Sequence, residues 1–340
     1  MSSATSQTAI LDQAQQTATR IFELVSPELA LVETEFERQA RSNIQVIAYI
    51  GEYLRRSGGK RVRPALTILS NYAVGGDGSN YSSIRMATVM EFLHTATLVH
   101  DDVIDKAERR RNRPSINCEF GNQTAVLMGD WLYMSAFETS LGERSLPILD
   151  ILTAVTRRMT EGELLQLTLL GRTDISEEQY FDVIARKTGY LFSACCEIGA
   201  LLGGADEVAQ NTLRDYGMNL GLAFQLVDDL LDFVATEEVL GKPAGADLIE
   251  GKVSLPLIFL LQRHPEMRAA LQQVVNDGSY QNVSRQELLN SLIETGALNM
   301  AQQRASEYAE AARASIESLP SSPYADALSA IPAYIVERDR

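Results

Sequence analysis

Two acidic triads stand in apolar surroundings, far apart in the sequence, and share one spacing. The first lies within LVHDDVIDK and the second within QLVDDLLDF. Each has aspartates at positions i, i+1 and i+4, namely Asp101, Asp102, Asp105 and Asp228, Asp229, Asp232. On an α-helix these positions fall within an arc of about 100°, so each triad predicts three carboxylates on one stripe of a helix.

Such stripes are unfavourable unless they bind a cation. Like charges at i and i+4 destabilise a helix by roughly 0.2–0.5 kcal/mol, and burying unpaired carboxylates costs far more. Sequences that place like charges together on a helix, against this energetic cost, do so mainly at functional sites. Mg²⁺ binds a few carboxylates and completes its octahedron with water and substrate phosphate. The triads therefore predict a divalent metal site.

Basic residues lie near both triads and in two further motifs. In chain order they are Lys60, Arg61, Arg63, Arg109, Arg110, Arg111, Lys187, Lys242 and Lys252. The first three follow paired glycines at a predicted helix start, where free backbone N–H groups favour anions. Arginine binds phosphate bidentately, and lysine acts as a compact charge. Metal-binding acids flanked by these cations predict a diphosphate site.

Composition excludes several other classes of protein. A formal net charge of −15 disfavours nucleic acid as a partner, because phosphate backbones need a basic surface. No run of 18 apolar residues predicts a membrane span, and the N-terminus lacks the features of a secretory signal. The three cysteines form no CxxC pair, which is typical of a reduced protein. We therefore expect a cytoplasmic protein.

Helical periodicity is nearly continuous, and alternating strand patterns are scarce, which predicts an all-α fold. Predicted helices span 28–57, 60–74, 82–105, 121–141, 147–170, 177–203 and 206–236, followed by a loop at 241–252 and shorter helices over 253–338. No linker or shift in composition interrupts them. We expect one helical domain over 28–340, forming a bundle around a deep central cleft, after a poorly ordered or short-helical segment at 1–27.

The motifs and their order resemble those of the trans-isoprenyl diphosphate synthases over about residues 28–338. They are GGKRVRP; HTATLVHDDVID followed by RRR; FGNQTAVLMGDWLY; EGELLQ; RKTGYLF; GLAFQLVDDLLDF; and GKPAGADLIEGKVSLPL. Two DDxxD motifs in this company are far more specific than either motif alone. Asn112 stands where a glycine is usual in the family. Ser254, which follows Val253, stands where a threonine is commoner. Neither departure removes a charge that the chemistry needs.

The resemblance implies an isoprenoid-synthase fold and a Mg²⁺ cluster, with three ions in each active site and Mn²⁺ as a substitute. Asp101, Asp105 and Asp228 would be the main ligands, supported by Asp102, Asp229 and Asp232. The diphosphate of isopentenyl diphosphate would be held by Lys60, Arg63, His94 and Arg111. The allylic diphosphate would be held by Arg110, Lys187, Thr188, Gln225, Lys242 and Lys252. Asp247 would help to hold a metal-bound water.

The resemblance also implies a reaction. An allylic diphosphate would lose pyrophosphate, isopentenyl diphosphate would attack head-to-tail, and an all-trans polyprenyl diphosphate would form. Lys187, Thr188 and Gln225 would be the catalytic residues, the last two offering oxygen dipoles to the carbocation. No Ser-His-Asp or Cys-His arrangement suggests a protein nucleophile. Closure of 241–252 would exclude water.

Product length is expected to depend on the helix that bears the first triad. If the prenyl tail grows along this helix, it passes Ala96 and Thr97 and then Leu93. In the family, aromatic residues at the first level stop the chain early, whereas Ala96 and Thr97 are small. We therefore expect a product longer than fifteen carbons, of the long-chain type used for quinone side chains. A geranylgeranyl-type synthase of shorter product is the alternative.

Two other classes of protein have related motifs. A class I terpene cyclase would replace the second motif with an Asn/Ser/Glu-type motif, and a non-catalytic subunit of a heteromeric synthase would have lost a triad. Neither change is present. The family usually forms homodimers, and the apolar segment 121–141 is the candidate interface. The lipid product would bring the enzyme to membranes without a membrane-spanning segment.

Overall fold

A computed structural model describes residues 19–56, 61–110, 113–235 and 245–337. The described residues are helical almost throughout. Their only strands are Arg109–Arg110 and Arg113–Pro114, which pair antiparallel with Arg109 opposite Pro114. The prediction of an all-α fold is therefore confirmed.

Residues 19–24 form a short helical segment ahead of the labelled helices. The helices that follow are α1 (Ser26–Gln39), α2 (Gln45–Arg56), α3 (Val62–Ala73), α4 (Tyr81–Ile104), α5 (Ile116–Phe120), α6 (Asn122–Leu141), α7 (Leu146–Leu169), α8 (Glu177–Ile184), α9 (Tyr190–Leu202), α10 (Glu207–Val234), α11 (Ala246–Ile249), α12 (Leu255–Arg263), α13 (Arg268–Asp277), α14 (Arg285–Glu294), α15 (Ala297–Ser315) and α16 (Pro323–Glu337). A π-helical turn, Ala185–Gly189, joins α8 to α9, and a 3₁₀ turn, Pro265–Met267, precedes α13.

The prediction of one helix over 28–57 is wrong, because the chain breaks between α1 and α2. The hydroxyl of Ser42 accepts a hydrogen bond from the backbone N–H of Ile44 at 3.1 Å. Such local side-chain bonds compete with helical ones, which explains the break at a polar RSN sequence. A Cβ added at Gly51 would lie 3.3 Å from the Cβ of Ala40, so the two helices meet closely there.

The centre of the bundle is α9, which packs against α3, α4, α7 and α10. Phe192, Cys195 and Cys196 on α9 are fully buried. A Cβ added at Gly217 of α10 would lie 2.5 Å from the carbonyl oxygen of Phe192, so only glycine allows this close approach of α9 and α10. The two helices that bear the triads, α4 and α10, therefore both pack against the same central helix.

The described residues share one contiguous hydrophobic core. Ile21 and Val25 already belong to it, although both precede residue 28. The division of the chain at residue 28 stays a prediction. No helix in the described ranges combines the length and the hydrophobicity that crossing a membrane requires.

Candidate active site

The aspartates of the first triad lie at the C-terminal end of α4 and have three different surroundings. Asp101 is half-buried and lines a cleft of about 780 Å³. Asp102 is buried and accepts a hydrogen bond from Nε of Arg110 at 2.7 Å. Asp105 accepts a hydrogen bond from Nζ of Lys252 at 2.9 Å. One stripe of like charges thus divides into one cleft-facing carboxylate and two carboxylates paired with cations.

The second triad, on α10, divides in a similar way. Asp228 lines the same cleft as Asp101. Asp229 is buried and accepts hydrogen bonds from Tyr180 at 2.6 Å and Gln225 at 2.9 Å. Asp232 binds the start of α11: its carbonyl accepts from the N–H of Gly245 at 2.7 Å, and its carboxylate accepts from the N–H of Asp247 at 3.3 Å.

The cleft joins most of the predicted site residues within the described part of the chain. Those that line it are Arg63, His94, Thr97, Asp101, Arg110, Lys187, Thr188, Gln225, Asp228, Asp229, Asp247 and Lys252. Lys60, Arg111 and Lys242 lie outside the described residues. The two stripes and the cations between them therefore share one site, which the sequence could suggest only from motif order.

Two of the triad carboxyl groups that line the cleft have raised pKa values. Burial, and then the neighbouring Glu163, raises the pKa of Asp101 to about 7, although Lys187 and Arg110 oppose the shift. Burial and the nearby Asp247 raise the pKa of Asp229 to about 7, against the hydrogen bonds from Tyr180 and Gln225. Both shifts have the same cause, which is negative charge held in a low-dielectric cleft. An added cation would relieve that charge.

The donor set fits a metal ion that is completed by other ligands. No three His, Cys, Asp or Glu side chains converge on one point in the described ranges. Asp101 and Asp228 instead face the open volume separately. Mg²⁺ keeps several waters and uses one or two carboxylates together with phosphate oxygens, so separated carboxylates suit it when a diphosphate lies between them.

The π-helical turn presents Lys187 and Thr188 to the cleft, and α7 holds this turn in place. Nζ of Lys187 lies 2.8 Å from a carboxylate oxygen of Glu163 and 3.1 Å from Oε1 of Gln166. A Cβ added at Gly162 would lie 2.7 Å from the Cβ of Arg186. The EGELLQ motif of α7 therefore packs against the RKTG motif and fixes its position.

The start of α3 brings a further cation to the cleft. Arg61 lines it beside Arg63, and its guanidinium pairs with Glu33 and Glu91. The guanidinium of Arg63 lies over the ring of Phe192, 4.9 Å from its centroid. Arg61 is held in a left-handed backbone conformation, with φ at 50°, which turns the chain into the helix.

Comparison with known proteins identifies the group to which this site belongs. The family model of polyprenyl synthetases matches residues 44–292. The chain belongs to the polyprenyl synthetase family. It is a prenyltransferase, which confirms the resemblance inferred from the motifs.

Individual members of the family are similar along almost the whole chain. An octaprenyl diphosphate synthase of Escherichia coli is 39% identical, over 94% of this chain and 99% of its own. A polyprenyl synthase of Caulobacter crescentus, crystallised with calcium and isoprenyl diphosphate, has a TM-score of 0.90 at 34% identity and covers 95% of this chain and 98% of its own. A decaprenyl diphosphate synthase of Rhodobacter capsulatus has a TM-score of 0.89 at 34% identity, covering 95% and 99%.

The structure places the expected chain-length residues of this polyprenyl synthetase in different surroundings. Thr97 lines the cleft. Ala96 and Leu93 are buried and are not among the cleft residues. The helical face that points into the cleft instead bears Glu91 and Leu98. The chain-length roles of Ala96 and Leu93 stay predictions that require the helix packing to open.

Several cleft residues carried no predicted role. They are Glu91, Glu163, Gln166 and Tyr180. Glu163 and Gln166 belong to a motif that the sequence did show, and polar residues among leucines could have marked them. Tyr180 stands in no motif, and its role depends on a contact between distant parts of the chain.

Proposed function

We propose that this polyprenyl synthetase is a Mg²⁺-dependent enzyme that adds isopentenyl units head-to-tail to an allylic diphosphate and makes a long-chain all-trans product. One observation carries the proposal: Asp101 and Asp228, from two separate helices, line the same cleft as Arg63, Lys187 and Lys252. Two acidic surfaces with cations between them can bind two diphosphates and a metal. Such an arrangement would be unfavourable in a cleft that binds no charged ligand.

The metal would be held by Asp101, Asp105 and Asp228, with the other three triad aspartates in support. Bound Mg²⁺ neutralises the charge that develops on a departing pyrophosphate. The calcium and isoprenyl diphosphate named for the Caulobacter protein support a divalent cation beside a prenyl diphosphate. We retain the proposal of three ions in each site, with Mn²⁺ as a substitute.

The residues divide between the two substrates. Arg63 and His94, with Lys60 and Arg111, would bind isopentenyl diphosphate. Arg110, Lys187, Thr188, Gln225 and Lys252, with Lys242, would bind the allylic diphosphate. The allylic C–O bond breaks and its electron pair leaves with pyrophosphate. The isopentenyl double bond then forms the new C–C bond, and the proton lost from the adduct passes to the released pyrophosphate.

The product is proposed to be of octaprenyl type. Relatives named octaprenyl diphosphate synthase are 39% identical to this chain, whereas one named geranylgeranyl diphosphate synthase, from Methanosarcina mazei, is 34% identical. The small residue Thr97 at the cleft wall is consistent with a tail that continues past it. A geranylgeranyl-type product remains the second candidate, and product size distinguishes the two.

We propose that the enzyme is a homodimer that associates through α6. Leu127, Met134 and Leu141 recur every seven residues along this helix and are 68%, 61% and 49% exposed. A stripe of exposed apolar residues on one helix suits burial against a second copy.

The free cysteines Cys118, Cys195 and Cys196 support the proposal of a cytoplasmic enzyme.

The proposed activity is tested with purified protein, Mg²⁺, labelled isopentenyl diphosphate and each of the C5, C10, C15 and C20 allylic primers. We expect long-chain products, whose synthesis EDTA abolishes. Asp101→Asn should lower kcat by about a hundredfold or more, since it removes a metal-facing charge. The matched variant Asp150→Asn changes an exposed aspartate of α7 and should retain full activity. No elongation with any primer would refute the proposal.

A further inference from the structure

A buried tyrosine binds the middle aspartate of the second triad. Tyr180, on α8, is only 5% exposed, and its hydroxyl donates a hydrogen bond to Oδ2 of Asp229 at 2.6 Å. A phenol hydroxyl keeps its proton at neutral pH, so Tyr180 acts as the donor to the carboxylate.

The hydrogen-bonded chain continues from Asp229 to the cleft wall. Nε2 of Gln225 donates to Oδ1 of Asp229 at 2.9 Å, and Oγ1 of Thr188 donates to Oε1 of Gln225 at 2.7 Å. Because Oδ1 of Asp229 accepts from the amide nitrogen, Asp229 determines which side of the Gln225 amide faces it. The amide oxygen is then left for Thr188.

The direction of the Thr188–Gln225 hydrogen bond determines what the hydroxyl of Thr188 can offer to the cleft. Its hydrogen is committed to Gln225, so its oxygen has only lone pairs left to present elsewhere. Thr188 lines the cleft, where the proposed reaction develops positive charge. A fixed oxygen dipole that needs no reorientation stabilises such charge better than a freely rotating hydroxyl.

We propose that Tyr180 is a positioning residue, which fixes Asp229 and Gln225 so that Thr188 presents an oxygen acceptor to the allylic cation. The inference rests on the proposed function and assigns to Asp229 a role inside the protein in addition to its support of the metal. Tyr180 holds one carboxylate oxygen and Gln225 the other, so the carboxylate cannot rotate without losing both bonds. The second triad then has three tasks: Asp228 faces the cleft, Asp229 orients Gln225, and Asp232 binds the start of α11.

The chain offers a matched control for the loss of a buried tyrosine hydroxyl. Tyr216, on α10, is fully buried, and its hydroxyl donates to the carbonyl of Leu328 at 2.7 Å. It does not line the cleft. Tyr216→Phe removes the same group and the same kind of bond, so it measures the structural cost alone.

The test compares kcat and KM for Tyr180→Phe and Tyr216→Phe under the assay above, with melting temperatures for both. Tyr180→Phe should lower kcat by about tenfold while KM for isopentenyl diphosphate changes less than about twofold, because the lost bond orients a catalytic group. Tyr216→Phe should lower the melting temperature but leave kcat unchanged. Equal kcat values for both variants would overturn the inference.

A double-mutant cycle distinguishes action through Thr188 from a general loosening of the site. In a Thr188→Val background the Tyr180→Phe change should cost less than about twofold in kcat, since the group that it orients is gone. In a Thr188→Ser background, which keeps the hydroxyl, the full cost should return. Additive effects in the valine background would refute the proposed action of Tyr180 through Thr188. Wild-type protein that makes no product would overturn the proposed function as well. An active wild type with an unaffected Tyr180→Phe variant would overturn only the positioning role of Tyr180.

Discussion

The ammonium of Lys252 lies 2.9 Å from Oδ2 of Asp105, so the segment that follows the second triad is tied directly to the first. The same segment is bound to the second triad through the backbone N–H groups of Gly245 and Asp247. Burial lowers the pKa of Lys252, but Asp105 and Glu250 outweigh it and the net shift is upward. The ammonium therefore stays charged, and residues 245–252 form a bridge between the two acidic stripes.

Replacing Lys252 with methionine should weaken the site more than the fold. The variant keeps most of the side-chain volume but leaves Asp105 without this cation, and it should lower kcat/KM for the allylic diphosphate by about tenfold or more. Steady-state kinetics with varied allylic substrate measure the effect. Lys106→Met is the control, because Lys106 is exposed and next to Asp105 in the chain. Equal losses in both variants would show that general surface charge, rather than the bridge, is responsible.

Adding a methyl group at Gly162 should displace the π-helical turn. The new Cβ would lie 2.7 Å from the Cβ of Arg186 and 3.2 Å from the backbone nitrogen of Lys187, so the turn must shift. Gly162→Ala should therefore lower kcat by about a hundredfold, since misplacement of a catalytic group by about 1 Å has effects of that size. Gly142→Ala is the control, because its closest contact is the side-chain end of Arg85, away from the π-helical turn. Full activity of Gly162→Ala would contradict the role given to the EGELLQ motif.

The path of the growing tail is tested by Ala96→Phe and Thr97→Phe. Both should shorten the product if the tail passes this level of α4. Ala96 is fully buried, so its variant should also lose about 1–3 kcal/mol of stability through overpacking. Ala305→Phe, at a fully buried alanine of α15, controls for overpacking and should leave product length unchanged. An unchanged product with Ala96→Phe but a shorter one with Thr97→Phe would place the tail on the cleft-facing side of the helix only.

The proposed dimer predicts that charge on α6 separates the subunits. A Leu127→Glu, Met134→Glu double variant should sediment as a monomer, since it buries two carboxylates in an apolar contact. Val208→Glu is the control: Val208 is 72% exposed at the start of α10, outside the stripe on α6. Analytical ultracentrifugation measures the outcome. A double variant that sediments like the wild type would exclude α6 as the interface.

The sequence predicted the helices best where caps and polar turns bound them. Asn80 and Asp206 each accept a backbone N–H from the first turn, and α4 and α10 begin beside them within a residue or so of the predicted starts. The division of 28–57 depended on a local hydrogen bond of Ser42, which helical periodicity does not show. The π-turn is hidden for the same reason, since residues on both sides of it are equally helical.

For the site, spacing within each helix was enough to predict one acidic stripe around Asp101 and another around Asp228, and motif order suggested that the two stripes share a site. Spacing could not show that Asp102 and Asp229 are buried and hydrogen-bonded to other protein groups. That outcome depends on Arg110 and Tyr180, and Tyr180 is 49 positions away from its partner. Pairings across such distances are set by helix packing, whereas motif patterns report only what lies within one or two turns.

The π-helical turn at Ala185–Gly189 has a consequence for splicing related chains together. A π-turn holds one residue more than an α-turn, so deleting Ala185 would still permit an unbroken helix. Residues on the two sides of the turn would keep nearly the same facing, because the longer π-turn and the shorter α-turn each complete about one revolution. A related chain with one residue fewer here can therefore match this fold on both sides, so parents joined here must be aligned by the facing of the helix rather than by residue count.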